Sequence, residues 1–393
     1  MRAEDELLLQ CARTALDSSS AEKIKGLVRG GVQWDYLCDK AIRHGVEPLL
    51  FWNLNAACPA DVPPSTLARL RDDFLSNAQR NLFLARELLQ VLKLLGENDI
   101  PVIPYKGPLL AISAYENISL RQISDLDVIV HRRDAIRAKD LLLANGFRLI
   151  HSLDPLKESI FLQSNCEFAL QNSRIVLDVH WEISPKYFHF PFKLEEVWQR
   201  LEPVALAGTP VQTLGAPDLL VILCAHGARH VWQRLDWLCS VSELVRAYPE
   251  LDWDKVTQLA YDLGGERMLW LGLLLAEQML GTRLPERVKQ VIKADRALEP
   301  LALEIRERFY RDWTNDVGVF QDTFVDELHP KMFKRGRHRL RYYFHVIFTP
   351  TVSDVDWLRL PGFWSFLYYA LRPFRLLVRF GPTLTGRVLT SHG

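Results

Sequence analysis

At 393 residues the chain exceeds the roughly 250–300 at which a single hydrophobic core stops growing, so more than one packed unit is expected. Hydrophobic residues at 48% and charged residues at 24% exclude a disordered, charge-rich chain. Lys+Arg and Asp+Glu both total 48, so no global field advertises nucleic acid and any anion site has to be local. Cys11, Cys38, Cys58, Cys166, Cys224 and Cys239 form no CxxC pair and sit mostly in apolar surroundings, as reduced thiols of a cytoplasmic protein do. The N-terminus lacks a basic leader with an uninterrupted apolar core, and no stretch approaches the ~18–20 apolar residues of a membrane span. A cytoplasmic location is expected.

From Glu4 to about Leu95 apolar residues recur at helical spacing, as in Leu84, Leu88, Leu89 and Leu92, and Gly96 reads as a helix stop. Residues 1–97 are therefore expected to be helical. The next region, 98–215, reads as a small α/β unit. Its expected elements are a strand Ile100–Tyr105, a helix Pro108–Tyr115, a strand Leu126–Val130, a helix Asp134–Asn145 and a strand Phe147–His151. A hairpin follows, Glu167–Gln171 and Arg174–Trp181, turning at Asn172-Ser173. After Gly215 the helical period returns and persists to about Arg311, with Pro217, Asp252 and Pro285 at helix starts, which makes 216–325 a second helical region. Residues 326–393 form a C-terminal basic and aromatic segment. No repeat or low-complexity stretch is present.

The run Ser124-Asp125-Leu126-Asp127-Val128-Ile129-Val130 places two carboxylates two residues apart at the start of a β-branched strand, so that both point to one face. Adjacent carboxylates repel and lose hydration, a combination that favours a divalent cation. In Ile175-Val176-Leu177-Asp178-Val179-His180-Trp181 the odd positions make an apolar face, while Asp178 and His180 share the other. A charge in such a strand is explained by a metal or by a salt bridge. Acid pairs of this kind also occur in haloacid dehalogenase phosphatases and glycosyltransferases. There, however, an apolar strand runs up to the first Asp, whereas here it follows. Upstream, Tyr105-Lys106-Gly107-Pro108 is a strand–turn–helix junction whose free N–H groups and Lys106 charge suit phosphate oxygens.

Together these stretches resemble the uncharacterised bacterial nucleotidyltransferase family of the nucleotidyltransferase superfamily. The likeness rests on Tyr105-Lys106-Gly107, Tyr115, Arg121 to Val130, Gly146-Phe147, Leu177 to Trp181 and Leu223-Cys224-Ala225-His226-Gly227, and covers about Val91 to Arg246. It implies an α+β fold, with a small mixed sheet and helices flanked by N- and C-terminal helical regions. It further implies metal-dependent transfer of a nucleoside monophosphate from an NTP such as ATP to a small-molecule, sugar or peptide acceptor, using Mg²⁺ or Mn²⁺. Carried onto this chain, Asp125, Asp127 and Asp178 would be the catalytic metal-binding acids, and Lys106 and Gly107 would contact the triphosphate. Pro108 stands where the superfamily has Ser, and Ser240 where the family often carries Asp.

Arg121 is expected either to neutralise leaving pyrophosphate or to pair with a neighbouring acid. His226 and His230, four apart on one helix face, suit acceptor contact, nucleotide contact, metal ligation or packing, and His180 is expected to support the acid site. A non-catalytic nucleotide-binding or partner-assembly module on the same fold is the alternative. Residues 362–381 are aromatic and basic without an acid. Arg372, Arg375 and Arg379 are expected to form a basic stripe beside Leu371, Phe374 and Val378, kinked at Pro373, which either contacts an anionic membrane peripherally or snorkels over a core.

Overall fold

The computed structural model describes residues 2–188, 190–192, 194–311 and 326–390, excluding the side chains of 380–390. The fold is α+β, with a small mixed sheet among many helices. Five strands, β1 (Val102–Pro104), β2 (Leu126–Val130), β3 (Arg148–Leu149), β4 (Glu167–Gln171) and β5 (Val176–His180), form a sheet in the order β1-β2-β5-β4-β3. Only β2 and β5 run parallel; the other pairs are antiparallel.

Alternation sorts the two faces of this sheet. Leu126, Val128 and Val130 of β2, Leu177 and Val179 of β5 and Phe168 and Leu170 of β4 are buried in one cluster. With them lie Leu84, Leu88, Val91 and Leu95 of the helix Pro64–Gly96, and Ala138 and Leu142 of the helix Ala135–Ala144. The opposite face, carrying Asp127, Asp178 and His180, meets the helix Ala216–Arg229, whose buried residues join a larger cluster running from Leu7 to Tyr342. Ile103 and Ile129 belong to that cluster, so the sheet separates two apolar layers and its polar residues lie between packed elements.

The strands Leu126–Val130 and Glu167–Gln171 end where expected, and the other expected elements of the sheet region end within two residues of expectation. The N–H of Ile100 bonds the carbonyl of Leu95 and closes the preceding helix, so β1 begins only after Pro101. The turn between β4 and β5 is set by Asn172, whose Oδ1 accepts from the N–H groups of Arg174 and Ile175 at 2.8 and 2.9 Å. Two elements were not legible in the sequence. One is the helix Pro155–Ser164, capped by Asp154. The other is a separate hairpin, β6 (Glu202–Leu206) and β7 (Thr209–Thr213), turning at Ala207 and Gly208, both with positive φ. Ala in that conformation is an uncommon turn signal. Thr213 donates to the Pro104 carbonyl at 2.6 Å and ties this hairpin to β1.

The C-terminal segment departs most. A 3-10 turn, Gly362–Leu367, leads into the helix Tyr368–Thr390, which runs through Pro373. Arg372 and Arg375 do not form an outward basic stripe: they are 3% and 6% exposed and both pair with Asp354, itself 1% exposed. Arg372 reaches Asp354 Oδ2 at 3.0 Å and Arg375 reaches Oδ1 at 2.5 Å, while Thr351 donates its N–H to the same carboxylate. The expected stripe fails because the helix is turned inward by a buried acid outside the aromatic run. Phe374 and Val378 face outward instead, at 64% and 69% exposure.

Buried histidines add a pH dependence. Burial, then nearby Lys40 and Arg43, push His44 down to about 3, and its Nδ1 accepts the N–H of Leu235. Burial pushes His329 down to about 4, with Nε2 donating to the Arg229 carbonyl at 2.8 Å. Both rings are neutral in the folded state and bind protons near 6.5 when unfolded. Their contribution is thus intact above pH 6.5 and lost as pH falls from there toward 4 and then 3. Each should cost roughly 2 kcal/mol at pH 5. Thermal melts at pH 7 and pH 5 should show this loss, and His44→Gln should flatten it; an equal pH response in the variant would contradict the assignment.

Replacing Asp354 by Ala leaves two guanidinium groups buried without their carboxylate. Denaturant titration should show a loss of about 3–5 kcal/mol, the cost typical of removing one partner from a buried ion pair. A loss under about 1 kcal/mol would mean that water screens the cluster.

Candidate active site

The parallel pairing of β2 with β5 brings Asp127 directly opposite Asp178. In-register parallel neighbours point the same way, so both carboxylates enter one cleft of about 250 Å³. On β4, Ala169 lies opposite Asp178, where its small side chain leaves room, and Glu167 lies opposite His180. Ligand atoms of Asp127, Asp178 and His180 all lie within 4.8 Å of one another. Asp125, two residues before Asp127, also lines the cleft, with its Oδ1 accepting from the Ser124 hydroxyl at 3.0 Å.

Electrostatically, the acids of the cluster are unequally neutralised. Burial opposes ionisation of Asp127, yet Lys106 at 3.4 Å and His180 at 3.1 Å hold its pKa down to about 2. Burial, then Glu167 and Asp127, push Asp178 up to about 8. Burial and then Asp127 also raise Asp125. One oxygen of Asp178, Oδ1, is buried with no hydrogen-bond partner among the described residues. A carboxylate with an uncommitted buried oxygen, beside two further acids, is the hard oxygen donor set that Mg²⁺ or Mn²⁺ takes. The residues therefore fit a divalent cation.

His180 bridges two acids. Its Nδ1 lies 2.9 Å from Glu167 Oε2 and its Nε2 3.1 Å from Asp127 Oδ1. Against the cost of burial, these partners raise its pKa well above the ordinary histidine value, and the same pairing holds Glu167 below the usual carboxylate range. With Nε2 donating to Asp127 and Nδ1 within ion-pair reach of Glu167, a protonated His180 orients Asp127 and lends positive charge rather than offering a lone pair. Tyr105 completes this network at 3.3 Å from Nε2.

The Lys-Gly junction sits at the cleft edge. Gly107 has φ of +53°, a conformation that L side chains rarely adopt, and this turns the chain from β1 into the helix Gly107–Ser113. Lys106 points inward, between Asp127 and His226 Nδ1, each at 3.4 Å. Arg121 lines the cleft, and its Nε is buried without a partner among the described residues. His226 and His230 form the facing wall, their rings 4.8 Å apart and packed against Trp237. Burial pushes both histidines well below the ordinary value, so they are neutral polar walls.

All the acids and basic residues expected from the sequence thus line one cleft. Glu167, Tyr105, Gln122, Arg229 and Trp237 line it as well, although their sequence pattern assigns none of them a role. For Glu167 a signal was present: Glu167, Ala169 and Gln171 alternate with Phe168 and Leu170, which marks a polar strand face. What was missing was the register that sets that face beside His180.

A search of curated proteins finds no significant match. Among solved structures, the chain is similar to that of the antibiotic-resistance factor ANT(2'')-Ia at 16% identity and a TM-score of 0.33, covering 46% of this chain and 90% of that one. It is also similar to an antigenic nucleotidyltransferase-like protein from Paracoccidioides brasiliensis at 11% identity and a TM-score of 0.27, covering 53% and 93% respectively. The model of the family described as "Uncharacterised nucleotidyltransferase" matches residues 30–281, more than half of the chain and the whole of the cleft described above, and the protein belongs to that family.

Proposed function

We propose that the cleft transfers a nucleoside monophosphate from an NTP to an acceptor hydroxyl, with release of pyrophosphate. The acceptor would be a small molecule, a sugar or a peptide. Asp178 carries this reading: it stands in register with Asp127 and keeps a buried oxygen uncommitted, in a chain of nucleotidyltransferase family membership. In the reaction, the acceptor oxygen forms a bond to the α-phosphorus, the bond from that phosphorus to the pyrophosphate oxygen breaks, and the acceptor proton passes to the carboxylate cluster.

Asp125, Asp127 and Asp178 would hold Mg²⁺ or Mn²⁺, which when bound supplies charge stabilisation at the attacking and leaving oxygens. His180, fixed between Glu167 and Asp127, keeps the Asp127 carboxylate oriented. Arg121, with its unpartnered Nε, is suited to the phosphates, and Gly107 lets the backbone approach them. Lys106 is drawn onto Asp127 and would turn toward the triphosphate once a cation takes its place. Neutral His226 and His230 beside Trp237 would wall the acceptor side.

A second reading, a nucleotide-binding or partner-assembly module without catalysis, is favoured by that Lys106–Asp127 pair and by Pro108, which has no hydroxyl or N–H for a phosphate. The two readings part in one experiment. The protein is incubated with each labelled NTP, Mg²⁺ or Mn²⁺ and a cell extract, and labelled acceptor is sought. Transfer is expected, and Asp127→Asn should lower it at least about a thousandfold, on the scale of losing a charge-stabilising group from an active site. An unchanged melting curve for that variant would confirm that folding is not the cause. Unchanged turnover in Asp127→Asn would reject catalysis here, and NTP binding without transfer in any extract would favour the module.

A further inference from the structure

The C-terminal helices carry a surface that the cleft does not use. Among the described residues, fourteen of the twenty-five large hydrophobic side chains left exposed lie between Leu340 and Val378. Scattered exposed apolar residues need no explanation, but such concentration marks a surface that something covers.

Helix by helix, the pattern is inverted. In Tyr368–Thr390, Arg372 and Arg375 are buried on Asp354 while Phe374, Leu377 and Val378 face outward. A helix facing only water would present the opposite arrangement. The preceding helix, Gly336–Phe348, buries Tyr342 and His345 and exposes Arg337, Leu340, Arg341, Phe344 and Phe348, which share one face at three- and four-residue steps. Arg372 also donates to the Val346 carbonyl at 3.0 Å, which ties the two helices together. Between them the 3-10 turn Gly362–Leu367 exposes Phe363, Trp364 and Phe366.

Charge selects the occupant. Although the whole chain is neutral and Arg372, Arg375, Arg335 and Arg359 are paired with acids, Lys334, Arg337, Arg339 and Arg341 remain exposed along this surface, and the sequence has no acid after Asp356. A second copy docking through a two-fold axis would bring this basic rim against its own duplicate with few acids to pair it. An anionic bilayer surface offers what both parts of the surface need: negative charge for the arginines and a headgroup–acyl boundary for Trp, Tyr and Phe. No helix among the described residues is long and apolar enough to cross a membrane, so the contact would lie in the surface plane.

We propose that residues 337–379 form a peripheral docking surface for an anionic lipid bilayer, with Phe374, Leu377 and Val378 inserting and Arg337 and Arg341 at the rim. Because the Asp354 pairs hold the helix inside out, its apolar face is preformed and requires no refolding on contact. This inference does not depend on the reaction proposed for the cleft.

The test is flotation of the full chain with vesicles of phosphatidylcholine alone or with phosphatidylglycerol, at low and high salt. Binding should require phosphatidylglycerol and weaken as salt screens the rim. Phe374→Glu with Leu377→Glu, both exposed positions, should lower binding at least about tenfold without shifting the melting temperature. Arg337→Glu with Arg341→Glu should lower it by about tenfold or more and reduce its salt dependence. Failure of the wild type to bind anionic vesicles would overturn the proposal, as would full binding by the Phe374/Leu377 variant. Sedimentation would reveal the rival case: a dimer that this variant turns into monomers, with no vesicle binding, makes the surface an interface between copies.

Discussion

Two carboxylates side by side on neighbouring parallel strands would ordinarily weaken a sheet, because each loses hydration and repels the other. Here the sheet is organised to accept them. The apolar faces of β2 and β5 anchor both strands in one buried cluster, so that Asp127 and Asp178 have no freedom to turn away. Lys106 and His180 offset Asp127, and Asp178 is left with its raised proton affinity and an uncommitted oxygen. That uncommitted oxygen, beside two neighbouring carboxylates, is what makes the site suited to a divalent cation.

The rest of the molecule holds that arrangement in place. His180 is fixed between acids on β2 and β4, so the central strand carries its own orienting group. The helix Ala216–Arg229 covers the acid face with His226, and Gly227 admits the Trp232 ring where a Cβ would come within 2.4 Å of it. Its end is held by His329, which reaches back from the C-terminal part of the chain to the Arg229 carbonyl. N-terminal helices join the same core through Leu7, Leu37 and Leu50, so the cleft wall is packed against both ends of the chain.

The C-terminal helices follow the same logic with the opposite outcome. A single buried acid, Asp354, takes two arginines out of water, and the apolar side chains on the far side of that helix are left outside. Burying three charges together costs desolvation that packed leucines would not, so the arrangement is better understood as fixing an orientation than as adding stability.

Much of this was legible in the sequence because it depends on neighbours in the chain. Period-two alternation placed Asp125 and Asp127 on one face, and Asp178 and His180 on one face; β2 begins and ends with its β-branched run and β4 with its polar–apolar alternation; Pro217, Asp252 and Pro285 stand at helix starts. The family likeness added an activity that spacing does not contain. Tertiary structure alone decided what depends on distant segments. It set the parallel register that faces Asp127 to Asp178, the approach of Glu167 to His180, and the capture of Arg372 and Arg375 by Asp354. Helical period aligns Arg372 and Arg375 on one side, and period cannot tell which side of a helix meets a buried acid. The physical reason is general to all three: local conformation follows from adjacent residues, whereas the partner of a buried charge is chosen by which strands and helices the whole chain can pack together.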